Sequence, residues 1–256
     1  MFNAIQTQTT HGSMIRHLWL ITILLILSGC ASVNGPKQDY DPWEGFNRTV
    51  FNFNDKADRY VLKPIATGYH YITPDVVEKG IGNVFRNLGE LNTILNDLLQ
   101  AKFIQAANDT GRFLINSTIG LAGIFDVAKP LGLRPHQEDL GQTLAVWGVP
   151  DGPYLVLPLL GPSNIRDASA RGVSTAYLNP LIYVEDDNPD FPAIEITLLS
   201  VINTRAQFLE ASELLDDATD DPYIFMREGW RQRRENQIYD GNPPEEEYEI
   251  DIFSDD

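Results

Sequence analysis

The chain has 256 residues, 43% of them hydrophobic, a formal net charge of −17 and a pI near 4.5. That length and apolar content suit one domain of roughly 200 residues with a core of its own. The acidic surplus opposes phosphate backbones, so no nucleic acid is expected as a partner, and the single cysteine excludes an internal disulfide framework.

The amino end reads as a targeting segment. Leu18 to Leu27 is an apolar run preceded by Arg16 and His17 and followed by small residues. It is shorter than the roughly 20 residues that span a bilayer but fits the core of a signal peptide. The run ends in Leu27-Ser28-Gly29-Cys30, which resembles the bacterial lipobox. Residues 1–29 are therefore expected to be a lipoprotein signal peptide. Met14 is an alternative initiator, because residues 1–13 hold no Lys or Arg. Cys30 is expected to carry diacylglycerol and an N-acyl chain, a firm anchor because two or more chains hold where one does not. The next residue is Ala31 rather than Asp, which by resemblance to the lipoprotein sorting rule points to the outer membrane. Residues 30–41 are then a short tether.

Downstream, Phe46, Val50, Phe53, Ala57 and Tyr60 recur at helical spacing, and Pro64 is expected to stop this first helix. Thr73-Pro74-Asp75 opens a second, with a stripe of Val77, Ile81, Val84 and Leu88. A third is expected from about Leu91 to Ala107, carrying Leu91, Ile94, Leu95, Leu98 and Leu99. Phe113 to Ala128 is apolar on most faces, short, and interrupted by Gly120 and Gly123; it reads either as a buried core helix or as an interfacial segment. Leu144 to Pro162 mixes Trp147, Tyr154 and Leu157 with prolines and glycines that exclude a continuous helix. It suits a loop at a membrane interface or a buried extended segment equally. A long amphipathic helix is expected from Ala193 to Leu215, with Ile194, Leu198, Val201, Ile202, Phe208 and Leu209 in its stripe. A last helix opens at Asp221-Pro222 and carries Arg227, Arg231, Arg233 and Arg234. Strand alternation is scarce, so the fold class is all-α. Gly241 to Asp256 holds seven acidic residues and no Lys or Arg, the pattern of a solvated, disordered tail.

Motifs of catalysis are missing from the sequence. The four histidines, His11, His17, His70 and His136, are scattered, without zinc-ligand spacing. Ser163 lacks the Gly-x-Ser-x-Gly elbow. Gly80-Ile81-Gly82 supplies only two glycines of a dinucleotide turn. Neither an enzyme, a metal nor a dissociable cofactor is expected. The arginine cluster reads as helix-end capping with pairing to Glu228 and Glu235, or more sharply as a lipid-phosphate contact.

Asp41-Pro42-Trp43-Glu44-Gly45-Phe46-Asn47-Arg48, with Phe51-Asn52-Phe53-Asn54, resembles the opening motif of the VacJ/MlaA lipoproteins. The resemblance continues in order through Asn96-Asp97-Leu98-Leu99-Gln100, Arg112 to Gly120, Glu138 to Leu144, Trp147-Gly148, Gly161-Pro162-Ser163 and Asp221-Pro222-Tyr223. It covers residues 42–240 as one domain and leaves the tail, 241–256, outside. It implies a ring of amphipathic helices around an amphipathic channel, in an outer-membrane lipoprotein that keeps phospholipid out of the outer leaflet. The implied partners are phospholipid, a trimeric outer-membrane porin and a periplasmic lipid carrier. A structural lipoprotein that scaffolds porins without moving lipid is the alternative. Under the channel reading, Asn52, Asn54, Arg227 and Arg231 are candidate headgroup contacts, the amides because they hydrogen-bond a headgroup without trapping it. Phe113, Ile119, Leu121, Phe125, Trp147, Tyr154 and Leu157 are candidate membrane contacts.

Overall fold

The computed structural model describes residues 40–179, 192–216 and 220–244. The expected signal peptide, Cys30, most of the tether and most of the acidic tail lie outside the described residues. Helix α1 spans Glu44–Ala57. The sequence suggests that Pro64 stops this helix, but the helical path continues through it. A π-helical turn at Asp58–Leu62 widens the spiral, and α2, Lys63–Ile72, carries Pro64 in its first turn. The π turn sits just before Pro64, where the missing N–H interrupts the regular ladder of helix hydrogen bonds. The two helices expected between Thr73 and Ala107 are divided differently. Helix α3 is one element, Asp75–Leu99, and α4 runs Phe103–Thr118. The break is set by Ala101, whose φ is +60°, and by the Lys102 N–H donating to the Asp97 carbonyl at 2.8 Å.

A loop after α4 turns through left-handed backbone at Leu121, Ala122 and Gly123. The short α5, Leu140–Val146, is capped by Asp139, whose side chain accepts from the Gln142 N–H at 3.0 Å. Then comes a feature the all-α reading lacks: β1, Tyr154–Leu157, pairs antiparallel with β2, Gly161–Asn164. Helix α6, Ile165–Val173, starts from an Asn164 cap and runs into a π-helical turn at Ser174–Leu178. The long helix expected from Ala193 breaks at Phe208 into α7, Ala193–Gln207, and α8, Leu209–Asp216. Helix α9 spans Pro222–Ile238, with Asp221 accepting from the Tyr223 and Ile224 N–H groups at 3.1 and 3.3 Å. The described body is mostly helical, with this one small hairpin.

The apolar core is small. Val50, Tyr154, Val156 and Tyr223 are buried together, with Phe46, Phe51 and Trp230 packed around them. Two amides on one face of α1, two helical turns apart, hold β1 onto it. Asn47 donates to the Tyr154 carbonyl at 3.1 Å and accepts from the Val156 N–H at 2.9 Å. Asn54 donates to the Leu157 carbonyl at 2.9 Å and accepts from the Leu159 N–H at 2.7 Å. The extended segment is thereby given backbone partners on its free edge, which it needs once buried.

Elsewhere the usual arrangement of burial is reversed. The buried face of α3 holds Glu78, Asn87, Glu90, Thr93, Asn96 and Asp97, while Leu91, Leu95, Leu98 and Leu99 face outward. The apolar stripe expected from the sequence exists, but Val77 at its start is exposed and Ile81, Val84 and Leu88 are only half-buried. On α4, Asp109, Arg112 and Asn116 are buried, and Ile104 is 88% exposed. On α7 the expected stripe again turns outward at Ile194, Leu198 and Val201, with Asn203 buried behind it. A water-soluble domain buries such stripes; exposed apolar surface on this scale marks a membrane or protein interface. No helix among the described residues is long and apolar enough to cross a membrane.

Candidate lipid path

The helices leave adjoining open cavities between them. Cavities of about 770, 470 and 340 Å³ meet at Asn92 of α3, which lines all three. The largest lies between α3 and α7. Its wall combines Phe85, Leu88, Leu178 and Phe208 with Asn203, Gln207, Ser200 and Thr204, and with the guanidiniums of Arg86 and Arg233. The second lies between α6 and α9 and includes Arg171, Arg233, Asp139, Asp167 and Trp230. The third holds Glu90, Arg112, Asp126, His136, Glu138 and Asp139. Apolar and polar wall therefore run side by side, which is what a molecule with a charged head and hydrocarbon tails needs.

The acidic side chains on these walls are already matched. Arg112, buried between α3 and the loop after α4, donates to Glu90 at 3.0 Å and to Asp126 at 3.2 Å. Lys102 reaches Glu138 at 3.0 Å. Arg234 of α9 donates to Asp139 at 2.7 Å and to Asp167 at 2.6 Å. Burial works against the Asp139 carboxylate, but the Arg234 guanidinium and the Gln142 N–H outweigh it and hold its pKa below the ordinary range. At Glu90 the balance falls the other way: burial pushes its pKa up despite Arg112. Gly141 lets this junction close, because a Cβ there would stand 2.5 Å from the Asp167 carboxylate and against the Arg234 guanidinium.

Several residues singled out from sequence have other work. Arg227 is not a headgroup contact. It is almost fully buried and donates to Asp41 at 3.0 Å and to Glu228 at 2.9 Å. Asn54 is committed to the hairpin, and Asn52 is exposed beside it on α1. Arg231 is partly exposed, pairs with Glu228 at 3.2 Å, and lines a separate 240 Å³ pocket with Tyr40 and Asp151. Tyr154 does not reach a membrane surface, since it lies wholly in the core on β1. Phe113 and Leu157 are half-buried, whereas Ile119, Leu121, Phe125 and Trp147 are exposed.

The residue that sequence reasoning passed over is Asp41, counted with the tether yet buried. It accepts from Asn47 at 2.8 Å, the Tyr223 hydroxyl at 2.5 Å and Arg227 at 3.0 Å, joining the segment before α1 to α9. Its signal was its place at the head of the Asp-Pro-Trp motif. Arg86 and Arg171 were likewise missed, because neither falls in a cluster.

Comparison with known proteins agrees with this geometry. The family model for MlaA lipoprotein matches residues 39–237. An uncharacterised protein of Rickettsia felis is 37% identical over 211 residues, covering 82% of this chain and 83% of that one. The intermembrane phospholipid transport system lipoprotein MlaA of Haemophilus influenzae is 34% identical over 232 residues, covering 87% and 91%. A solved structure from work on the structural basis for maintenance of bacterial outer membrane lipid asymmetry superimposes with a TM-score of 0.66 at 32% identity, covering 79% of this chain and 99% of that one. A polar interior inside an apolar exterior, and a family match across nearly the whole described body, place this chain in the MlaA lipoprotein family.

Proposed function

We propose that this protein takes phospholipid from the outer leaflet of the outer membrane and passes it through its interior towards a periplasmic lipid carrier. The observation that carries the reading is the inverted burial around adjoining, mixed-polarity cavities. Lipid tails solvate the outward leucines and isoleucines, while the polar wall replaces water around a moving headgroup, which bare hydrocarbon cannot do. The Haemophilus relative's role in intermembrane phospholipid transport supports the same reading. Diacylglycerol and an N-acyl chain on Cys30 anchor the protein on the periplasmic face, and its apolar rim seats the body in that leaflet. Ile119, Leu121, Phe125 and Trp147 are the surface residues proposed to touch lipid. A trimeric porin beside it is the proposed partner, covering part of the rim.

Gly89 offers a direct test. It lines two of the cavities, and a Cβ added there meets nothing within 4 Å. Gly89→Phe, whose Cβ meets no neighbour, should therefore put a bulky ring into the passage. Phospholipid should accumulate in the outer leaflet of cells that carry this variant at wild-type abundance. Normal asymmetry with a plugged passage would instead favour a protein that scaffolds porins without moving lipid.

A further inference from the structure

The cavities are charged unevenly, in a way the acidic composition hides. Among the described residues, no carboxylate lines the 770 Å³ cavity, although the chain carries −17. The carboxylates of the adjoining cavities are each held by a cation of the protein: Glu90 and Asp126 by Arg112, Glu138 by Lys102, Asp139 and Asp167 by Arg234. Three lining guanidiniums are not matched in this way. Arg233 makes no ion pair or hydrogen bond among the described residues, and it lines both larger cavities. Among the described residues Arg86 donates only to the Asn83 side-chain oxygen, and Arg171 only to the Leu160 carbonyl, at 3.2 Å. Both partners are neutral. Three exposed positive charges without an ion partner among the described residues therefore follow one another, Arg86 and Arg233 in the larger cavity, Arg233 and Arg171 in the next.

We infer that Arg86, Arg233 and Arg171 form a phosphodiester relay, and that the passage favours net anionic glycerophospholipids over zwitterionic ones. The inference rests on the lipid-path reading and adds the headgroup class. A guanidinium binds a phosphate strongly through paired N–H donors. A phosphatidylglycerol headgroup satisfies that donor and offers hydroxyls to the Asn, Ser and Thr side chains of the same wall. A phosphatidylethanolamine headgroup brings an ammonium that finds no free carboxylate among the described lining residues. It also leaves the path's positive surplus uncancelled, because the zwitterion adds no net charge. The relay uses three separated cations rather than one deep pair, so the lipid can leave each stop.

The test uses the full-length lipidated protein in nanodiscs, loaded from vesicles that contain labelled phosphatidylglycerol or phosphatidylethanolamine. The wild type should take up phosphatidylglycerol about tenfold better, with a preference that shrinks as salt rises. Arg86→Gln, Arg171→Gln and Arg233→Gln together should bring the two lipids within about twofold, and the matching Lys variants should restore most of the preference. Equal uptake of both lipids by the wild type would overturn the relay while leaving the lipid path standing. Uptake of neither lipid would remove the path itself. Inorganic phosphate is the third arm. If millimolar phosphate abolishes uptake of both lipids equally, the arginines form a free-anion site and the inference fails. If the Gln variants do not fold, the wild-type preference and its salt dependence still decide.

Discussion

Asn47 and Asn52 share one helix and look alike in sequence, yet only Asn47 is buried and bonded to Asp41, Tyr154 and Val156. Truncating it leaves a buried N–H and a carbonyl without partners. Asn47→Ala should cost about 2–3 kcal/mol, whereas Asn52→Ala should change the thermal midpoint in detergent by little. Asp97 poses a different problem. It is fully buried, its two oxygens have no hydrogen-bond donor among the described residues, and burial together with the Asp109 charge pushes its pKa up to about 7. A carboxyl whose folded pKa lies above its unfolded value is protonated on folding. Its contribution is therefore full at low pH and is lost as pH climbs through that raised value. Asp97→Asn should raise the melting midpoint more near pH ~8 than near pH ~5. A midpoint gain independent of pH would place the effect in packing rather than in the proton. The mid-helix amides of α1 were visible in the sequence as poor helix formers. Their partners were not, because Leu157 and Leu159 lie about a hundred positions along the chain and nothing local points to them.

At the scale of elements, the helix starts were legible and the burial was not. Asp221-Pro222 announces α9 by cap chemistry that depends only on adjacent residues. The leucine stripe on α3 was equally plain, but spacing fixes only that Leu91, Leu95 and Leu98 share a face. Whether that face meets protein or lipid depends on the solvent, and the periodicity is the same in both cases. The hairpin escaped for another reason. Tyr154 to Asn164 is apolar and turn-rich, and β1 gains partners from α1 as well as from β2. The α4 loop shows how tightly such elements are joined. Gly123 has φ of +91°, and a Cβ on it would stand 2.6 Å from that of Asn87 on α3. Gly123→Ala combines a disfavoured backbone with that overlap, so it should lower stability by about 2 kcal/mol or more. Limited proteolysis should then open the loop between α4 and Lys129; an unchanged digestion pattern and midpoint would show that the loop is loosely held.

For the whole molecule, the interior of matched charges and the exterior of leucine and isoleucine belong together. Buried pairs such as Arg227 with Asp41 and Arg234 with Asp167 add little net stability by themselves. They hold helices that cannot rely on burying their apolar stripes against one another. If lipid surrounds those stripes, the same helices are free to leave space at the centre. One helix reports both sides. On α3, Leu91, Leu95 and Leu98 point outward, while Arg86 and Gly89 line the cavities. A spin label can be placed on a single cysteine at each position of the full-length lipidated protein in phospholipid nanodiscs. Its accessibility to oxygen, which concentrates in lipid, is then compared with its accessibility to a water-soluble nickel chelate. Labels at Leu91, Leu95 and Leu98 should favour oxygen and labels at Arg86 and Gly89 should favour nickel, alternating with the helical repeat. Nickel accessibility at the three leucines, equal to that of a water-facing helix, would contradict the inverted architecture and the lipid path built on it.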